Sequence, residues 1–366
     1  KKNGDDVRLV AGVLSILALC LGTITVLGIL FSEHIIFWIA GQSAYLSVPG
    51  KFDLTVKMAK IMFGFCFFIC MYAYFAAILN AFKNFVWAAF APVFFNIAMI
   101  VSTLLPALWP ALFSIHWLAW GVLIGGLLQM LVVVYALFKE KIFLKLTLAW
   151  NDENIALVFR KMLPGILGLG VMQMALIINT HFAASLEEGA NSWIYWSDRV
   201  LELPLSLFAV SLGTALLPTF SAHWAKQEKK QMSELANSYL RMIFVVALPC
   251  AVGLWCLSRP IVEVLFLRGK FNLHDLENTS LVLSVYASGI LFFAGIRVVL
   301  PAFYAAQNTL FPALVAVMSL TVHYFLAQIL MSKYGVGGLA ASSMITTALN
   351  FLLLLIGFCK WIGVIF

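Results

Sequence analysis

Three charges interrupt an otherwise apolar stretch, Asn191–Phe220: Asp198, Arg199 and Glu202, within NSWIYWSDRVLELPLSLFAVSLGTALLPTF. On a helix, residues three apart share a face, so Arg199 and Glu202 can pair. Pro204 follows two residues later; it lacks a backbone donor and can kink the helix beside the charges. A charge at bilayer depth costs a few kcal/mol or more, so it normally faces protein or a wet cavity. A fourth charge, Arg297, lies alone in another apolar stretch, Thr279–Tyr304. Arginine presents a permanent charge on a rigid fork of donors, which matches a phosphate better than any other side chain. Two readings follow: a polar site in a transport cavity, or an ion pair locking two helices together.

The elements that must hold these charges are membrane spans. Of the 366 residues, 63% are hydrophobic and 11% charged, with mean hydropathy +1.01. Segments of about 20 apolar residues match the hydrocarbon core of a bilayer. Ten such spans are expected: Leu9–Leu30, Leu54–Leu79, Phe85–Trp109, Trp117–Phe138, Met162–Ala184, Asn191–Phe220, Met242–Leu257, Thr279–Tyr304, Leu310–Met331 and Val336–Cys359. Helices satisfy their own backbone hydrogen bonds, which lipid cannot do. Residues 139–161, with Trp150 among alternating charged and apolar residues, read as an amphipathic segment on the membrane surface. Ser221–Asn237 reads as a second surface linker.

The net charge of +7 would suit nucleic acid, but basic cytoplasmic loops produce the same balance, so no nucleic-acid partner is expected. About twice as many Lys and Arg fall on the side of residue 1 as on the other, which places the N-terminal end in the cytoplasm. The start, KKNGDDVR, is polar and leads into a full span, unlike a secretory leader. Cys20, Cys66, Cys70, Cys250, Cys256 and Cys359 all lie in apolar segments without CxxC spacing and read as small buried hydrophobes. The six histidines show no metal-ligand spacing, and no metal or cofactor is expected. Gly165, Gly168 and Gly170 sit in an apolar span with no strand before them, so close helix packing or a hinge is favoured over a nucleotide site. Asn179 and His181, with His323 and Asn350, are polar residues on three spans. They read as polar packing, with a cation site in the second lobe as the other possibility; the absence of carboxylates on those spans argues against sodium.

An internal repeat is visible. Tyr74-Phe75-Ala76-Ala77 with Asn80 resembles Phe303-Tyr304-Ala305-Ala306 with Asn308. Ser32-Glu33-His34-Ile35-Ile36 resembles Ser258-Arg259-Pro260-Ile261-Val262 at a similar offset. Duplicated halves are frequent in transporters. Counted from the repeat, the first half is shorter by enough residues for two spans, so the chain is expected to be a piece of a longer transporter, truncated at its N-terminus.

These residues also carry a family resemblance. Asn191–Pro218, Leu265–Phe271 (LFLRGKF), Arg297 with Pro301-Ala302-Phe303-Tyr304-Ala305, and Met162–Gln173 (MLPGILGLGVMQ) resemble the MurJ/MviN family of lipid II flippases, across essentially the whole chain. The resemblance implies an all-α polytopic membrane protein with two pseudo-symmetric helical lobes around a central cavity. It places family helices 3–12 of 14 here, so that two helices are missing at each end. The implied organisation is an N-lobe remainder over 1–138, the amphipathic linker over 139–161 and a C-lobe over 162–366. The implied activity is alternating-access export of lipid II, the undecaprenyl-pyrophosphate-linked peptidoglycan precursor, across the bacterial inner membrane for cell-wall biogenesis and cell shape. Its implied partners are lipid II, membrane lipids and other cell-wall synthesis proteins. By this resemblance Arg199 and Arg297 are pyrophosphate ligands, Glu202 orients Arg199, and Asp198 either extends that network or points to another helix. A flippase for another undecaprenyl-linked glycan and a multidrug cation antiporter are the alternatives; the two arginines speak against the antiporter. No catalytic dyad or ATP-binding motif is present, so an enzyme is not expected.

Overall fold

The computed structural model describes residues 4–108, 115–140, 142, 155, 160, 170 and 173–362. Helices account for nearly all of them: α1 (Gly4–Leu30), α2 (Ser32–Ala40), α3 (Ser43–Leu46), α4 (Lys51–Ala81), α5 (Phe85–Leu108), α6 (His116–Lys139), α7 (residues 173–184), α8 (Ala190–Pro204), a π-helical turn (Leu205–Val210), α9 (Ser211–Ala225), α10 (Lys229–Cys256), α11 (Ser258–Phe266), α12 (Leu273–Ala287), α13 (Ile290–Ala305) and α14 (Leu310–Trp361). Among the described residues six stretches are long and apolar enough to cross a membrane, and the bent pair α12–α13 adds a seventh. Large apolar side chains such as Val86, Val245, Leu207 and Val264 are exposed, as lipid-facing positions would be.

Contacts divide the chain into two units, one over residues 1–41 and 46–165, the other over 42–45 and 166–366. In the first, α6 packs along both α4 and α5, and α1 along α4. Its core includes Leu79, Ala91, Val133 and Ala136. In the second, α8 packs on α12, while α9 and α10 pack on α13, around Trp193, Phe220, Phe303 and Phe358. A smaller core of Val200, Val262, Leu276 and Leu283 ties α8 to α11 and α12. Asn272 and Asp275 close a capping box at the start of α12, and Trp193 Nε1 donates to Asp275 Oδ1 at 2.8 Å, fastening α8 to that cap.

Helix α14 corresponds to two expected spans. At 1.5 Å per residue its 52 residues would extend about 78 Å, more than twice a bilayer core. The chain turns back instead at Gly335, whose φ of 55° with ψ of −134° only glycine adopts readily. The two arms approach so closely that a Cβ on Gly338 would collide with the Leu330 carbonyl.

Several expectations change. Ser221–Asn237 is not a surface linker: α9 runs to Ala225 and α10 begins at Lys229, because Met232, Ala236 and Leu240 recur at helical spacing and are buried. The Thr279–Tyr304 span is bent by 44° between α12 and α13, where Gly289 lies hard against Met344. Cys20, Cys66, Cys70 and Cys256 are exposed rather than buried. Most of the amphipathic segment 139–161, and the Met162–Gln173 motif up to its last residues, lie outside the described residues.

Candidate functional site

The Arg199 side chain is held three ways. Nη1 donates to Glu202 Oε2 at 2.8 Å, Nη2 lies 3.5 Å from Asp198 Oδ2, and the guanidinium carbon stands 5.3 Å from the Tyr195 ring centre. Tyr195 is one turn earlier on the same face of α8, a spacing that the sequence offered and charge alone did not flag. All three charged side chains are about half exposed: 48% for Arg199, 55% for Asp198 and 56% for Glu202. The triad is therefore not sealed between helices.

The local chain explains the opening. Trp193, Ser197, Val200 and Leu201 face inward, and Ser197 Oγ reaches the Thr279 carbonyl at 2.9 Å, so α8 is anchored by the opposite face. Directly after the charges, Pro204 removes a donor and the backbone widens into the π-turn. Such turns inside helices recur at functional sites.

Arg297 on α13 is exposed, and no ion pair or hydrogen bond joins it to the triad among the described residues. The structure thus brings together Asp198, Arg199 and Glu202 and leaves Arg297 apart. Of the four polar residues read as packing or a cation site, two meet: His323 Nε2 lies 2.9 Å from Asn179 Oδ1. His181 pairs with Gln42 instead, at 2.7 Å, and Asn350 joins neither. Among the described residues no cluster of His, Cys, Asp and Glu has the geometry to hold a metal ion.

A helical chain with broken, membrane-length spans and a half-exposed charged triad has the fold of the multidrug and lipid exporter class. In fold it is similar to an inward-facing multidrug resistance transporter of that class (TM-score 0.82, 14% identity, covering 97% of this chain and 87% of the other). It is equally similar to a lipid II flippase MurJ in an inward closed conformation (TM-score 0.82, 24% identity, 98% and 73%). The sequence is more specific. It matches the family described as "Lipid II flippase MurJ" over residues 1–365. It is 42% identical over 355 residues to a probable lipid II flippase MurJ of Bdellovibrio bacteriovorus, covering 96% of this chain and 67% of the relative. To the lipid II flippase MurJ of Burkholderia cenocepacia it is 34% identical over 357 residues, with 96% and 68% covered. The chain belongs to the MurJ family, and it spans about two thirds of the length of these relatives.

Proposed function

We propose that this protein moves lipid II from the inner to the outer leaflet of the bacterial cytoplasmic membrane by alternating access, with its N-terminal end in the cytoplasm. Membership of the MurJ family supports the substrate; the accessible Arg199 fork supports the site. Two lobes over 1–138 and 162–366, joined by the segment 139–161, would carry the motion.

The pyrophosphate of lipid II is a multiply charged anion that cannot enter hydrocarbon bare. Arg199 offers it two donor edges. Each is occupied by a carboxylate before substrate arrives, Nη1 by Glu202 and Nη2 by Asp198. Capture is therefore an exchange of partners: phosphate oxygens replace carboxylate oxygens, and the guanidinium is never left unpaired. The triad by itself carries one positive and two negative charges, so the anion needs a second cation. Arg297, exposed and without a partner among the described residues, is suited to that role. After release, Glu202 closes on Arg199 again and restores the empty site. No bond is made or broken, so the protein is a transporter and not an enzyme. Binding of lipid II to the full-length protein, compared with an analogue in which a neutral linker replaces the pyrophosphate, tests the assignment. Loss of binding with the analogue is expected; equal binding would overturn it.

A further inference from the structure

Helix α11 has nine residues, Ser258–Phe266. At 1.5 Å per residue it is about 14 Å long, too short to cross a bilayer. It joins the end of α10, a membrane-length helix, to the start of α12. Its two faces differ. Ser258 and Val262, four apart, are buried, and Ile261 and Phe266 pack on the core that α11 shares with α8 and α12. On the other face Arg259 and Glu263, again four apart, are exposed, as are Pro260 and Val264, the last to 81%.

Beyond α11 the chain makes a tight turn through Arg268, Gly269 and Lys270. The Arg268 amide donates to the Phe266 carbonyl at 2.7 Å, and the Phe271 amide to the Arg268 carbonyl at 3.2 Å. Gly269 takes a φ of 64°, a conformation that glycine adopts without strain. The motif LFLRGKF therefore has two halves. The Phe266 ring lies 5.0 Å from Trp196 of α8 and 6.0 Å from Phe271, centre to centre, which pins the turn to the helix that carries Arg199. Arg268 and Lys270, between the two phenylalanines, are exposed.

Charge and apolarity together define this face. Arg259, Arg268 and Lys270 stand against one acid, Glu263, and no ion pair involving these four is present among the described residues. Nearby acids are engaged or lie on another helix. Asp275 holds Trp193 Nε1 and the Asn272 amide, Glu187 meets His274, and Glu277 is on α12. Large apolar side chains are exposed among the cations: Leu257 before α11, Val264 and Leu265 on it, and Leu273 after the turn. A site for a water-soluble anion would leave those side chains in water. A protein interior would leave the cations unpaired. The lipid–water boundary satisfies both, with apolar side chains at acyl depth and cations at the phosphates. The arginine forks match phosphate oxygens, and Lys270 adds a point charge.

We propose that α11 and the turn after it form an interfacial foot that binds the headgroup phosphate of an anionic phospholipid of the phosphatidylglycerol type. A zwitterionic headgroup carries its own ammonium beside the phosphate, so a face with net positive charge holds it less well. The foot sits where α10 ends and α12 begins, the outer face in the orientation proposed above. Val262 of α11 and Val200 of α8 share one core, so a lipid-held foot fixes the depth of the helix on which Arg199 lies. The lipid site does not depend on what Arg199 binds.

The test uses full-length protein carrying a nitroxide at Val264→Cys, in nanodiscs of phosphatidylcholine and phosphatidylglycerol in equal amounts. Broadening of the phosphorus resonance of each lipid is measured, and the same protein labelled without that substitution is subtracted. A cation near an anionic surface is worth about fivefold in lipid partition. The phosphatidylglycerol resonance should therefore be broadened by about fivefold or more over phosphatidylcholine. Arg259→Gln, Arg268→Gln and Lys270→Gln, combined, should bring the two lipids level. Raising salt from about 0.1 to 1 M shortens the screening length from about 10 to 3 Å and should do the same without these substitutions, so the proposal stays testable if the triple variant fails to fold. Equal broadening at low salt, or an undiminished preference in the folded variant or at high salt, would overturn the headgroup site. No broadening of either lipid would place the face in water and overturn the foot. Displacement of phosphatidylglycerol from the label by an equimolar amount of lipid II would assign these cations to the substrate and overturn the phospholipid assignment.

Discussion

Removing Arg199 separates its role in transport from its role in the fold. Arg199→Ala deletes a 2.8 Å pair with Glu202 and a 3.5 Å approach to Asp198. With these side chains about half exposed, such pairs contribute about 0–1 kcal/mol to stability. The Tyr195 contact adds roughly 0.5–1 kcal/mol. The folded protein should lose no more than about 3 kcal/mol, and abundance in the membrane should hold. Substrate capture is another matter. A hydrogen bond to a charged group contributes about 1.5–3 kcal/mol net, so losing one bond weakens binding by about tenfold to a hundredfold, and losing both edges by more. Arg199→Lys keeps the charge but not the fork and should recover part of the loss. The assay is lipid II affinity of purified variants beside a thermal unfolding curve. A variant with near-wild-type affinity, or one whose affinity loss is matched by gross unfolding, would refute the reasoning and leave Arg199 a structural ion-pair partner.

Arg297→Ala should abolish lipid II export at unchanged abundance, since no ion pair involving it is lost among the described residues; complementation with membrane immunoblotting checks this. Glu202→Gln keeps the hydrogen bond to Arg199 but removes the competing charge, so lipid II should dissociate more slowly, measured as an off-rate. Gly338→Ala places a methyl group on the Leu330 carbonyl and should destabilise by about 1–3 kcal/mol, read from thermal unfolding in detergent. Trp193→Phe removes the donor to Asp275 and should cost about 1.5–3 kcal/mol, and Asp275→Asn, whose one amide oxygen cannot accept from both Trp193 Nε1 and the Asn272 N–H, should cost a similar amount, both read from thermal unfolding.

The spans were legible because their signal is collective: a run of apolar residues announces a helix whatever its neighbours. The breaks inside them were legible only where a residue forces them. Pro204 foretold the interruption after α8, and the separation of the expected spans Leu310–Met331 and Val336–Cys359 foretold the turn within α14. The bend between α12 and α13 has no such marker; it arises where Gly289 meets Met344, a contact between distant segments. Ser221–Asn237 misled for the opposite reason: its charges suggested a loop, yet Met232 and Ala236 bury a helical face. At the site, the pairing of Arg199 with Glu202 followed from their spacing. That Asp198 shares Arg199, and that Tyr195 lies against it, depended on side-chain direction. The pairing of His323 with Asn179 was beyond reach, because the two come from helices far apart in the chain and no local pattern links them.

The most direct measurement is lipid II translocation by the full-length protein in vesicles of defined composition, with the lipid loaded in one leaflet and its arrival in the other followed by an impermeant headgroup reagent. The wild type should move lipid II, and Arg199→Ala and Arg297→Ala, present at equal density, should not. Equal translocation by all three would contradict a pyrophosphate site built on these arginines.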